Sequence, residues 1–206
     1  MPRPTLPSTP ADRRILTAPQ YEVRPARADD RTAVTELIDT RLDTLGRPTA
    51  IDLKVSRSAL LNCLWEEVAD EPLVWLLCED TEIVGAAAVL PGAPSWAWGP
   101  IQHDAPRSRY IAALFTHPTP DVALARLLTQ FLLDRAARQP AEDDRVHWLR
   151  ATTSSNRVMH YACAELGFSV SDGVRRGGRH IYLLQHAVRE VPNLDRYVYV
   201  SAPHVA

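Results

Sequence analysis

The stretch LFTHPTPDVALARLLTQFLLDRA (114–136) decides the fold, because it passes from a strand pattern to the clearest helix pattern of the chain. The large apolar residues of its second half recur at intervals of three and four, at Leu124, Leu127, Leu128, Phe131 and Leu132. That spacing puts them on one face of a helix that must pack against a core. Thr119 can cap this helix with Pro120 in its first turn, and Pro140 stops it.

The turn inside this stretch lies where many proteins hold a phosphate group. Such turns are usually rich in glycine, because the backbone must come close to the phosphate oxygens. Residues 116–123 contain no glycine, and Asp121 occupies the place of an anion. A carboxylate there stabilises the helix through its dipole by ~0.3–1 kcal/mol, yet it would repel a diphosphate on the same amides unless it points to solvent.

A second strand-to-helix junction follows in ATTSSNRVMHYACAELGF (151–168). The strand 145–153 leads into it, and Ser154 or Ser155 can cap the next helix. Gly167 ends that helix. Its apolar side is formed by Val158, Met159, Ala162 and Leu166.

The remaining patterns add strands and helices around these two junctions. They predict a strand at 21–27, helices from Asp29 or Asp30 to Gly46 and from about 55 to 69, strands at 72–80, 81–90 and 109–117, a hairpin at 168–188 that turns at Gly177 and Gly178, and a last strand near 194–202. The recurring hairpins favour antiparallel pairing, and the two β-α-β crossovers would supply any parallel pairs. The predicted class is α+β, a mixed α/β three-layer domain. Its twisted sheet of six or seven mostly antiparallel strands would be flanked by about four helices.

Length and composition predict one domain at 21–206 behind a flexible proline-rich tail at 1–20. The net charge of −2 gives no footprint for nucleic acid, and no apolar run reaches the ~20 residues that span a bilayer. The three cysteines are widely spaced, which favours a reducing cytoplasm over a disulfide framework. The seven histidines lack metal-ligand spacing, so we expect no metal.

Taken together, the order of elements and the two quoted stretches resemble the GCN5-related N-acetyltransferase (GNAT) family over roughly residues 21–188. In that family, an Arg/Gln-x-x-Gly-x-Gly/Ala loop after the fourth strand holds the pyrophosphate of coenzyme A on its backbone amides. An Asn follows in the next helix, then a Tyr and Leu-Gly-Phe. Asn156 and the run 166–168 match the second pattern. The loop pattern falls on Pro120, Asp121, Ala123 and Ala125, and it keeps only the two small positions.

The resemblance implies acetyl-CoA, or another acyl-CoA, as co-substrate. It places the cofactor against Leu114, Phe115, Thr116, Asp121, Val122, Ala123, Leu124, Ala125, Arg126 and Asn156. The acyl carbonyl and pantetheine would lie near Thr116, and the pyrophosphate would meet the amides of about 122–126. Asn156 would orient the cofactor arm.

The candidate catalytic residues are Cys163 and His117. Cys163 stands where the family carries the Tyr that protonates the departing thiolate; it is either that acid or a small buried hydrophobe. His117 has the intrinsic pKa of a general base, or it is a loop histidine before a proline. Trp96 and Trp98 would form an aromatic wall for the acceptor, or they cover the sheet.

The sequence therefore supports an acyl-CoA-dependent N-acyltransferase for a small-molecule amine, without nucleic acid or membrane partners. Two alternatives stay open. The altered loop and missing tyrosine favour a binding or regulatory module that has lost acetyl transfer. Aminoacyl transfer from a charged tRNA is also hosted on this fold, but the near-neutral charge argues against it. The last strand would complete its own sheet or pair with a second subunit in a homodimer.

Overall fold

The computed structural model describes residues 21–44, 50–64, 72–99, 107–118, 123–138 and 145–201. Several predicted features lie outside these ranges. They are the tail at 1–20, the helix stops at Gly46 and Pro140, and the loop residues Thr119, Pro120, Asp121 and Val122.

One sheet runs through the described part of the chain, in the order β6-β7-β5-β4-β3-β2-β1-β8. Its strands are β1 Tyr21–Pro25, β2 Val74–Glu79, β3 Glu82–Leu90, β4 Ser108–Thr116, β5 Trp148–Thr153, β6 Ser169–Arg176, β7 Arg179–Ala187 and β8 Val198–Val200. The mixed α/β class is confirmed, with eight strands in place of the predicted six or seven. The last of them, β8, lies within the predicted last strand near 194–202; it pairs in parallel with β1 and so completes the chain's own sheet.

The hairpins β2–β3 and β6–β7 are confirmed as antiparallel pairs. Gly177 and Gly178 form the predicted turn, and both have the positive φ that a two-residue hairpin turn of this hand requires. The crossover prediction is only half right. The first crossover makes β4 and β5 parallel neighbours, whereas the second carries the chain to β6, which pairs with β7 and not with β5.

Four α-helices lie in the described residues, on the two faces of the sheet. They are α1 Arg31–Thr44, α2 Ala50–Cys63, α3 Leu124–Ala137 and α4 Asn156–Glu165. One apolar cluster joins α1 and α2 to one face, and a larger cluster joins α3 and α4 to the other. The predicted stripe of α3 is buried there, with Leu128 fully inaccessible. None of the described helices is both long and apolar enough to cross a membrane.

Three helix starts differ from the sequence prediction. α3 begins at Leu124 with Ala123 as its N-cap, rather than at Pro120 after a Thr119 cap. α1 is preceded by a 3₁₀ turn at Ala28–Asp30, so Asp30 does not cap α1 directly; its carboxylate accepts a hydrogen bond from the Arg27 backbone at 2.7 Å. α2 begins at Ala50 rather than near Val55, consistent with the strong helix propensity of the Ala, Leu and Lys residues at its start.

Candidate functional site

The parallel strands β4 and β5 separate at the end of the sheet where both finish. They are paired only as far as Ile111 and Ala151. Beyond that point β4 stays paired with β3, and β5 with β7, to their last residues. We call the opening between Ala112–Thr116 and Thr152–Thr153 the fork. It exposes β4 backbone groups that the neighbouring strand does not use, in the crevice at the carboxyl ends of two parallel strands.

A β-bulge accounts for the separation. Ala113 lies opposite Ala88 and Ile111 opposite Val89, so Ala112 has no partner on β3. Such an extra residue bends its strand and increases the local twist. The bulge therefore turns β4 away from β5 at the residue after their last pair.

Two hydroxyl groups close the base of the fork. The Tyr110 hydroxyl and Thr152 Oγ1 are 2.7 Å apart, across β4 and β5. Burial raises the pKa of Tyr110, and the hydrogen bond with Thr152 only partly opposes that shift. Tyr110 therefore stays protonated and serves here as a fixed hydrogen-bonding group.

Among the described residues, no side chain caps the start of α3, and we call this start bare. Its N-cap is Ala123, which has no side-chain acceptor, and the first turn carries no acidic residue. The first hydrogen bond that closes a helical turn runs from the Leu127 amide to the Ala123 carbonyl at 2.9 Å. The amides of 124–126 precede it, and helix geometry gives such groups no carbonyl partner within the helix. They point out of the N-terminal end of α3.

Side chains at the start of α4 accept hydrogen bonds from the backbone N–H groups there. Ser155 is the N-cap, as predicted, and its Oγ accepts a hydrogen bond from the Val158 amide at 3.3 Å. Thr153 Oγ1 accepts a second one from the Ser155 amide at 3.1 Å. At the far end Gly167 has φ +79°, which fits its predicted role as the helix stop.

Asn156 is the first residue of α4, beside the fork. Its Oδ1 accepts a hydrogen bond of 2.6 Å from the Tyr182 hydroxyl of β7, and this bond does not use the Nδ2 hydrogens. Tyr182 was not predicted as a site residue. It lies opposite Thr153 across the β5–β7 pair, a neighbour that only the strand register reveals.

The other predicted residues are distributed around the fork. Cys163 is partly buried on α4, against the larger apolar cluster. His117 follows β4 and donates its backbone N–H to the Val84 carbonyl at 2.8 Å. The Arg126 side chain is turned to α4, where its Nε donates to the Glu165 carbonyl at 2.9 Å. Leu114 faces the larger cluster, whereas Phe115 is buried in the α1–α2 cluster.

Trp96 and Trp98 differ in how far they are exposed to solvent. Trp98 is 2% exposed and packs with Leu183 of β7. The guanidinium carbon of Arg150 on β5 lies over its ring, 4.3 Å from the centroid. Trp96 is 44% exposed and contacts the guanidinium of Arg176 at the same distance. Only Trp98 is therefore part of a buried group next to the fork.

No protein-family model matches this sequence, and no curated protein matches it significantly. Solved structures do match. A GNAT-family acetyltransferase from Streptococcus agalactiae has a TM-score of 0.61 at 17% identity, covering 83% of this chain and 96% of that one. One from Listeria monocytogenes has a TM-score of 0.58 at 17% identity, covering 81% and 94%. GphF, a GNAT-like decarboxylase in complex with isobutyryl-CoA, has a TM-score of 0.56 at 18% identity, covering 81% and 99%. The chain therefore has the GNAT fold.

Proposed function

We propose that this protein is an acyl-CoA-dependent N-acyltransferase, with acetyl as the acyl group and a small-molecule amine as acceptor. The observation that carries the proposal is the fork, which opens a sheet between two parallel strands and exposes unpaired backbone of β4. An extended ligand that enters such an opening can hydrogen-bond to the strand edge as an additional strand would.

Three groups around the fork suit the parts of coenzyme A. The backbone of Leu114–Thr116 would hold the acyl carbonyl and the pantetheine amides. The amides at the bare start of α3, from Ala123 to Arg126, would meet the pyrophosphate together with those of Asp121 and Val122. The Nδ2 group of Asn156 would donate to a carbonyl of the cofactor arm.

Coenzyme A would supply an acyl group activated as a thioester. The neutral amine would attack the carbonyl carbon, while backbone N–H groups of β4 stabilise the developing oxyanion. His117 is the candidate that accepts the proton of the amine, and Cys163 is the candidate that protonates the leaving thiolate. Trp96 and Trp98 would line the acceptor side, and Trp98 is the buried one of the two.

Calorimetric titration of acetyl-CoA into the native protein, beside the Asp121→Gly variant, tests this function. We expect micromolar binding by the native protein and binding at least as tight by the variant, because the variant removes a negative charge near a diphosphate. Amine acceptors would then be screened by the release of free thiol.

The altered loop favours one other function, a binding or regulatory module without acetyl transfer. Pro120, Asp121 and Cys163 replace three of the residues on which the resemblance relies. Binding by Asp121→Gly alone would support this module and overturn the enzyme, because the native loop would then be closed by its carboxylate.

A further inference from the structure

Arg150 is a buried cation whose hydrogen-bonding groups are almost unused. Only 5% of its surface is exposed. A guanidinium carries five N–H donors. Among the described residues, the one hydrogen bond of Arg150 runs from Nη1 to Ser108 Oγ at 3.5 Å, at the long limit of such bonds. Its Nε is fully buried and meets no acceptor among the described residues.

Arg150 also has no carboxylate beside it in the part of the chain that the structure describes. The ion pairs there use other arginines: Arg24, Arg57, Arg126 and Arg138. Burial lowers the pKa of Arg150, and no neighbouring charge opposes that shift. An uncompensated buried charge is strongly unfavourable. Since the guanidinium nevertheless stays charged at neutral pH, a missing anion would explain its position.

Trp98 supplies a second unused donor at the same place. The Arg150 guanidinium carbon lies over its ring, 4.3 Å from the centroid, and its buried Nε1 meets no acceptor among the described residues. A cation–π contact of this kind provides no conventional hydrogen-bond acceptor for the N–H groups of Arg150. The two side chains therefore present several donors and a positive charge, which together match a carboxylate.

The location connects this pair to the fork. Arg150 lies opposite Tyr110 on β4, and Tyr110 bonds to Thr152 at the base of the fork. Arg150 and Thr152 share one face of β5, roughly 7 Å apart along the strand. That face is opposite to the one where Leu149 joins the α3–α4 cluster. A ligand held by Arg150 would thus reach the fork from the side of α1 and α2.

We propose that Arg150 and Trp98 bind a carboxylate of the acceptor, so that the acceptor is an amino acid or another amino-carboxylate. This proposal rests on the proposed function and names its substrate class. The carboxylate bridges two N–H groups of Arg150 and accepts from Trp98 Nε1, and its amine projects into the fork.

Matched acceptors test the proposal. The probes are individual L-amino acids, β-alanine and γ-aminobutyrate, each beside its carboxamide. We expect the carboxylate form of the best acceptor to have the higher kcat/KM by about tenfold or more, since a site built for a hydrogen-bonded group rejects the analogue that lacks it. The Arg150→Met variant should show no preference for the carboxylate over the carboxamide. Its affinity for acetyl-CoA should stay unchanged. Arg150→Lys, which keeps the charge without the planar fork of donors, should fall between the two. An equal preference in the native protein and Arg150→Met, or none in either, would overturn the proposal.

Thermal unfolding gives a readout that does not need catalysis. Without ligand, Arg150→Met should unfold at the same temperature as the native protein or higher, because replacing an uncompensated buried ion by an apolar side chain removes a desolvation penalty. The carboxylate probes should raise the unfolding temperature of the native protein only. The proposal is wrong if Arg150→Met unfolds at a much lower temperature and the probes do not raise the unfolding temperature of the native protein. That result would mean that Arg150 is paired inside the protein. Failure to bind acetyl-CoA would refute the proposed function alone, since the temperature shifts can still be measured.

Discussion

The helices α3 and α4 each follow one of the two parallel strands, but the backbone N–H groups at their starts meet different acceptors. At α4, Ser155 and Thr153 accept hydrogen bonds from backbone N–H groups. At α3, the N-cap Ala123 has no side chain that could accept one. A helix start whose donors are already used by the protein cannot offer them to an anion, whereas a bare one can. The contrast therefore separates a structural junction from one suited to a ligand.

The largest effect should come from converting the bare start into a capped and charged one. Ala123→Asp would accept from the amides of α3 and place a negative charge beside the pyrophosphate. We expect acetyl-CoA affinity to fall by roughly thirtyfold, on the order of 2 kcal/mol. The free energy of unfolding should rise at the same time, by about 0.5–2 kcal/mol, because the new side chain caps the helix. Calorimetry and urea unfolding measure the two effects, which have opposite signs.

Ala123→Ser is the matched control, since serine caps the helix without a charge. A smaller loss of affinity in the serine variant would separate competition for the amides from charge repulsion. Unchanged affinity in both variants would show that the α3 amides do not bind the pyrophosphate, and the contrast between the two helix starts would lose its functional meaning.

The next effect concerns Asp30, which shows how a carboxylate acts near a helix start of this protein. It accepts from the Arg27 backbone at 2.7 Å and from Arg24 through two bonds of 2.7 Å. Burial by itself would raise the pKa of Asp30, but the hydrogen bonds from Arg24 and Arg27 outweigh it and hold the pKa below its usual 3.8. Asp30→Asn should lower the free energy of unfolding by about 1–2 kcal/mol at pH 7, after allowance for partial exposure.

The sign of the shift fixes the pH range of this effect. Because the folded pKa of Asp30 is lowered, its stabilisation is complete above the unfolded pKa and is lost as the pH falls through the folded pKa. Urea unfolding should be measured from pH 7 to pH 2. Near neutral pH, the gap in free energy of unfolding between the native protein and Asp30→Asn should be constant. The gap should narrow below about pH 4. A gap that stays constant to pH 2 would contradict the assignment.

A smaller loss should follow from Ser155→Ala, which makes the start of α4 as bare as that of α3. We expect the free energy of unfolding to fall by about 0.5–1 kcal/mol, at the low end for such caps because the hydrogen bond is 3.3 Å long. Acetyl-CoA affinity should stay within about twofold, since α4 would gain an uncapped amide far from any proposed phosphate. A clear gain or loss of affinity would place the cap itself in the site.

The sequence predicted what depends on neighbours along the chain. The stripe of α3, the Ser155 cap, the Gly167 stop and the turn at Gly177 and Gly178 all follow from local spacing and backbone preference. Each is decided by residues a few positions apart, where side-chain periodicity and φ requirements act directly.

What the sequence did not reveal depends on register between distant segments. The bulge at Ala112 cannot be recognised in YIAALF, whose apolar residues suit either face of a strand. Arg150 likewise resembles an ordinary strand arginine until Trp98 is found over it. The parallel pairing of β8 with β1 joins the two ends of the described chain, and no local pattern specifies that partner.

The smallest effect should come from Tyr182→Phe, which alters the α4 junction without touching its cap. The lost hydrogen bond is exposed, so the free energy of unfolding should change by no more than about 0.5 kcal/mol. Acetyl-CoA affinity should weaken by about two- to threefold, because the Asn156 amide would be free to rotate away from the cofactor arm. Asn156→Ala should remove the contact itself, and the double variant should then be no weaker than Asn156→Ala. Such non-additivity is expected when one residue acts only through another. Additive losses would instead mean that the Tyr182 hydroxyl meets the cofactor directly, and the α4 junction would then contribute two ligand contacts through side chains, beside a helix start that Ser155 caps.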